Sequence, residues 1–197
     1  MPPPFPDRLL LPLAFDPERL ADGMTALSTA DWIAHFVTAN YDGEWSAMAL
    51  RASATARHPI QTIYSDPNCA DYADTALLDA MPYFREVLAA FACPLQAVRL
   101  MRLAAGSVIK EHSDHDLSFE DGMVRIHIPV VTNDAVDFRL NGTRCIMAAG
   151  SVWYLRLSDP HSVSNRGGCD RVHLVIDAAV NGWIADLLTR AANAAAA

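Results

Sequence analysis

Two stretches decide the fold: residues 95–112, LQAVRLMRLAAGSVIKEH, and residues 123–157, MVRIHIPVVTNDAVDFRLNGTRCIMAAGSVWYLRL. Within them, residues 96–103, 108–112, 124–131, 136–140, 144–147 and 152–157 are short segments rich in β-branched residues, and residues 171–177 form one more. Turn signals separate them: Ala105-Gly106, Asp121-Gly122, Thr132-Asn133-Asp134, Asn141-Gly142, Ala149-Gly150 and Gly167-Gly168. Short strands at such regular spacing predict a sandwich or a barrel. Asn141-Gly142 between two alternating stretches is a two-residue hairpin signal, because both residues tolerate the positive φ that such a turn needs.

Upstream the texture is mixed. Residues 9–15 read as a strand. A helix is predicted from Pro17 to about Ala26, with Asp16 as its N-cap, Pro17 at the first helical position and Glu18 in the first turn. Residues 46–51 read as a strand and 53–72 as loop. Residues 75–93 read as a second helix, with Leu77, Leu78, Met81, Phe84, Leu88 and Phe91 at helical spacing. A closing helix is expected from Asn181 to about Ala192, followed by frayed alanines. The whole chain, 1–197, reads as one domain. Residues 1–94 are a helical and strand support region, 95–178 the β core, and 179–197 a C-terminal helix and tail.

Hydrophobic residues make up 52% of the chain, enough for a core without disulfides or structural metal. The net charge of −8 repels phosphate backbones and argues against a nucleic-acid partner. The segment MPPPFPDRLLLPLAF lacks the cationic start and cleavage site of a signal peptide, and no apolar run is long enough to span a bilayer. Cys69, Cys93, Cys145 and Cys169 form no CxxC pair. The expectation is a soluble, cytoplasmic protein with reduced thiols and no membrane association.

The densest chemistry lies in Glu111-His112-Ser113-Asp114-His115-Asp116. His112 and Asp114 form an H-x-D pair whose side chains project to one side at a strand end. His161, at the head of a later strand, is the best third donor. Two imidazoles and one carboxylate on one face leave open positions on a metal, the pattern of non-haem Fe(II) oxygenases. A solvated acidic loop with incidental histidines is the competing explanation, and His115 and Asp116 are competing donors. Two strands add basic residues: Arg125 with His127, and Arg171 with His173 and Asp177, each set opposite an apolar face. Those polar faces either meet solvent or line a ligand cavity. A guanidinium inside a cavity requires an anion, and its planar fork suits a carboxylate.

The stretch from Leu95 to Asp177 resembles the aspartyl/asparaginyl β-hydroxylase family, which includes bacterial free-proline hydroxylases. The resemblance rests on His112-Ser113-Asp114, residues 124–129 (VRIHIP), 150–155 (GSVWYL), 160–165 (PHSVSN) and 171–177 (RVHLVID) in this order. It implies a mainly β fold, a double-stranded β-helix or cupin-like jelly roll with flanking N-terminal helices. It implies Fe(II), 2-oxoglutarate and O2 as cofactor and co-substrates. Carried over by position, His112, Asp114 and His161 hold iron. Arg171 binds the distal carboxylate of 2-oxoglutarate, and Arg125 and His127 contact it from the neighbouring strand. Animal members lack the carboxylate ligand, so Asp114 places this chain nearer the bacterial enzymes. The implied reaction hydroxylates an unactivated C–H bond of an amino acid or peptidyl side chain and releases succinate and CO2. Two other classes fit the barrel: a non-catalytic metal or small-acid sensor, and a metal-dependent isomerase or dioxygenase independent of the keto acid. Arg171 discriminates, because a keto-acid-independent enzyme needs no buried arginine there. Trp45, Tyr41 and Trp183 read as packing before substrate wall, Trp153 and Tyr154 as core and rim, and Cys145 and Cys169 as inert thiols without a basic neighbour.

Overall fold

The structure is a computed structural model that describes residues 4–27, 32–65, 69, 71–115 and 117–196. Its strands are β1 (Arg8–Ala14), β2 (Ile33–Ala34), β3 (Tyr41–Asp42), β4 (Trp45–Ser53), β5 (Tyr72–Asp74), β6 (Leu95–Leu103), β7 (Val108–His112), β8 (Met123–Val131), β9 (Val136–Leu140), β10 (Thr143–Cys145), β11 (Ser151–Leu155), β12 (His161–Asn165) and β13 (Arg171–Ala179). The α-helices are α1 (Pro17–Gly23), α2 (Pro59–Thr62), α3 (Ala76–Asp79), α4 (Pro82–Ala89) and α5 (Gly182–Ala195).

The larger sheet runs β1-β11-β8-β13-β6-β4-β2, with β5 added beside β4; the smaller runs β10-β9-β12-β7-β3. Apart from the β9–β10 hairpin, successive strands of the core alternate between the two sheets, and the sheets face each other as a jelly roll. The mainly β architecture with flanking helices is therefore the expected one.

Strand alternation explains how one larger sheet serves two environments. Its outer face carries Leu100 on β6, Ile126 and Ile128 on β8, and Leu174 and Ile176 on β13. These pack against Leu20 of α1, Phe84 and Val87 of α4, and Ile184 and Leu187 of α5. Its inner face meets the smaller sheet through a second cluster that includes Trp45, Leu103, Ile109, Phe138, Leu140 and Val163. The inner positions next to that cluster are polar, and they carry the site.

Two expectations needed correction. The helix read over 75–93 is two short helices, α3 and α4. Pro82 has no N–H to continue the first, and Met81 before it takes a non-helical conformation (φ −125, ψ 68). The loop read over 53–72 contains the single-turn α2, started by Pro59 and capped by His58 and Gln61. The hairpin signal held: Leu140 pairs with Thr143 across Asn141 (φ 50) and Gly142 (φ 71). The N-cap roles of Asp16 and Asn181 also hold, each accepting backbone N–H bonds.

Candidate metal centre and anion pocket

The smaller sheet places His161 of β12 directly opposite His112 of β7. Their rings lie 4.3 Å apart, centroid to centroid. Asp114 stands two residues beyond the end of β7, where its backbone N–H donates to the Leu157 carbonyl at 2.8 Å. One donor atom each from His112, Asp114 and His161 falls within 4.8 Å of the others. The structure thus brings these three together. His115 is exposed and outside this group, and Asp116 lies outside the described residues.

The second nitrogen of each histidine is already engaged. His112 Nδ1 lies 2.7 Å from the Lys110 carbonyl, and His161 Nδ1 lies 3.0 Å from the Asp159 carbonyl. A carbonyl only accepts, so each Nδ1 carries a proton and Nε2 is the atom left to face a metal. A backbone carbonyl that fixes the tautomer in this way is the usual outer support of a metal-bound imidazole. Burial pushes the pKa of His161 down to about 4, which keeps that ring neutral and available as a ligand at pH 7. Asp114 offers Oδ1 toward His112 Nε2 (3.8 Å), while its Oδ2 accepts from Arg125 Nη1 at 2.5 Å. Two imidazoles and one carboxylate with a free oxygen fit a divalent metal of the Fe(II) type.

These residues line a cavity of about 600 Å³ between the sheets. Deep in it stands Arg171, at the head of β13 and almost fully buried. Its Nη2 donates to His173 Nδ1 at 2.8 Å, its Nε has no partner, and no carboxylate pairs with it among the described residues. Burial alone pushes its pKa down to about 9, so it remains a cation at pH 7. His127 and His173 lie beside it, with Nδ1 atoms 3.3 Å apart, and His127 Nε2 is buried without a partner. Burial, reinforced by the Arg171 charge, drives both histidines well below the usual imidazole range, so both are neutral.

Arg125 is differently placed. On β8 it sits opposite Asp177 of β13 and donates from Nε (2.6 Å) and Nη2 (3.0 Å) to the two carboxylate oxygens. Arg99 of β6 pairs with the same carboxylate, Ser65 donates to it, and Arg99 Nη1 donates to the Ile63 carbonyl at 3.0 Å. Burial works against the Arg125 cation, but the Asp177 and Asp114 charges override it and raise its pKa. Burial likewise works against the Asp177 carboxylate, and the two arginines lower its pKa well below the usual range. Among the described residues three arginines therefore face the cavity, and only Arg171 lacks a carboxylate.

Among the aromatic residues, Trp45 lines the cavity. His35 stacks on it at 3.5 Å and Phe36 stacks on His35 at 4.8 Å. Tyr41 backs Trp45 edge-on, and Trp183 packs against Phe91 on the helical side, away from the cavity. Cys145 does have a basic neighbour: Arg8 Nη1 lies 3.0 Å from its sulfur, contributed by a strand far away in sequence. Burial still raises the thiol pKa, so the cysteine stays protonated. Arg99 and Ser65 were not foreseen in the sequence. Arg99 left one signal: it shares strand phase with Met101 and Leu103, a cation at a position facing inward.

Comparison with known proteins agrees with this architecture. A 2OG-Fe(II) oxygenase family oxidoreductase from Burkholderia pseudomallei superposes with a TM-score of 0.55 at 14% identity, covering 88% of this chain and 85% of its own. A prolyl-4-hydroxylase from Pseudomonas putida gives 0.52 at 12% identity, covering 89% and 94%. The fold is that of the jelly-roll oxygenases. The aspartyl/asparaginyl β-hydroxylase family model matches residues 18–180, and the chain belongs to this family. An L-proline cis-4-hydroxylase of Rhizobium meliloti (strain 1021) is 28% identical over 169 residues, which cover 83% of this chain and 57% of that protein. The chain thus spans little more than half the length of this relative.

Proposed function

We propose that the protein is an Fe(II)- and 2-oxoglutarate-dependent dioxygenase that hydroxylates an unactivated C–H bond of a free amino acid or a peptidyl side chain. The observation that carries this reading is Arg171, a buried guanidinium without a carboxylate partner among the described residues, in the cavity that also holds the His112, Asp114 and His161 donors. An isolated buried cation is costly, and a ligand carboxylate relieves that cost through paired, charge-assisted hydrogen bonds.

In this reading His112 Nε2, Asp114 Oδ1 and His161 Nε2 hold the metal. Arg171 receives the distal carboxylate of the co-substrate, with His127 beside it. The iron supplies oxygen activation coupled to decarboxylation of the keto acid to succinate and CO2. The protein contributes position and dryness: the carbonyls of Lys110 and Asp159 keep both imidazoles in the ligating tautomer, and the buried inner face of the larger sheet excludes water. Arg125 was expected to contact the co-substrate. Its Nε and Nη2 serve Asp177 and its Nη1 serves Asp114, which leaves Arg171 as the anchor.

Anaerobic addition of Fe(II) and 2-oxoglutarate to the purified protein is expected to give a visible metal-to-ligand charge-transfer band, and admission of air should yield succinate. Absence of the band with both additions would overturn the reading.

A further inference from the structure

Two carboxylates share Arg125, and how they share it bears on the metal site. Asp177 takes Nε and Nη2, the bidentate edge of the guanidinium. Asp114 receives only Nη1, through Oδ2, and its Oδ1 is turned toward His112. Asp177 is itself locked from three sides: Arg125 across the strand pair, Arg99 from β6, and the Ser65 hydroxyl. It is essentially solvent-free, so its charge acts on Arg125 with little screening.

Resting on the metal-centre reading above, we propose that Asp177 is a positioning residue for metal binding, which confines Arg125 to one oxygen of Asp114 and leaves the other for the metal. A guanidinium prefers to clamp a carboxylate through two parallel hydrogen bonds. With Asp177 neutralised, Arg125 is free to turn its bidentate edge onto Asp114 and cover both oxygens. A full positive charge near the metal position then also stands uncompensated. Both effects weaken cation uptake. Ser65 and Ile63 belong to the segment after α2 that lines the cavity, so the same ion cluster ties that wall to the metal ligand.

The test is Mn(II) affinity, read by EPR as the loss of free-ion signal, for the wild type, Asp177→Asn, and the double variant Asp177→Asn with Arg99→Met. The single change keeps the shape and removes the charge, and it is expected to weaken Mn(II) binding tenfold or more. It also leaves two buried arginines facing a neutral amide, so the fold itself is at risk. The double variant removes one of those arginines, restores the charge balance, and keeps the test alive. If Asp177 acts by holding Arg125, the double variant recovers thermal stability while Mn(II) binding stays at least tenfold weaker. Wild-type Mn(II) affinity in the double variant would overturn the proposal and reduce Asp177 to charge balance within the fold. A wild-type protein that takes up no Mn(II) would overturn the metal-centre reading, and this inference with it.

Discussion

At the scale of single residues, the three inner arginines sort themselves by partner. Arg99 and Arg125 share Asp177, whereas Arg171, among the described residues, meets the neutral His173 and the Phe138 ring at 5.8 Å but no carboxylate. A buried charge without a counter-charge is not repaid for its desolvation, and replacing it with an apolar side chain of similar length is often neutral or better. Arg171→Met is therefore expected to leave the melting temperature of the ligand-free protein unchanged or higher. The same change should weaken 2-oxoglutarate binding about 100-fold, within the range for removing one partner of a desolvated charge pair. Thermal-shift titration with 2-oxoglutarate measures both quantities, and a marked drop in ligand-free stability would contradict the assignment. Much of this was legible in the strand phase of residues 171–177, which puts Arg171, His173 and Asp177 on one face. What Arg125 does was not legible, because its partners come from a neighbouring strand and from a loop end, and sequence order carries no trace of cross-strand register. The basic neighbour of Cys145 was hidden for the same reason.

At the scale of elements, glycines in positive φ separate two costs. Gly142 (φ 71) closes the β9–β10 hairpin, and a Cβ there would meet open space. Gly150 (φ 78) precedes β11, and a Cβ there would fall 2.1 Å from the Phe15 carbonyl oxygen. Gly150 also links three segments: its carbonyl accepts from Phe15 N–H and its N–H donates to the Pro129 carbonyl, both at 2.9 Å. Gly142→Ala should cost only the left-handed backbone penalty, about 1–2 kcal/mol. Gly150→Ala should cost clearly more, because backbone must move to admit the methyl group. Urea denaturation of the two variants checks the order, and equal losses would show that the junction at Phe15 yields easily. Both turns could be read in the sequence, as Asn141-Gly142 and Ala149-Gly150, but only the fold shows that one is crowded. The helical segment failed in the opposite sense. Its apolar spacing is real on both sides of Pro82, and Leu78, Phe84 and Val87 all reach the core, but the missing N–H splits the helix.

At the scale of the whole molecule, an acidic protein encloses a pocket in which, among the described residues, the Arg171 cation lacks a carboxylate and His127 and His173 are neutral. That inversion has a consequence for stability against pH. In the unfolded chain both imidazoles take up protons near pH 6.5; in the folded chain burial and the Arg171 charge hold both well below that. The unfolded state therefore binds more protons in the acidic range, and stability is lost as pH falls. The contribution is fully present above about pH 6.5 and declines below it, at up to about 1.4 kcal/mol per pH unit for each histidine that stays neutral in the fold. The carboxylate ion pairs do not produce this loss. Asp177 is held below its ordinary value of 3.8, so its contribution disappears only at still lower pH. The melting temperature of the ligand-free protein should thus be level from pH 8 to 7 and fall steadily from pH 6.5 to 5. His35 and His161, which burial holds near 4, add to the same fall. His173→Gln should make it shallower, because it removes one of these four groups and keeps a side chain that can accept from Arg171. A melting temperature that stays level down to pH 5 in the wild type would mean that these imidazoles protonate readily within the fold, and the pocket would then be wetter and more open than its packing implies.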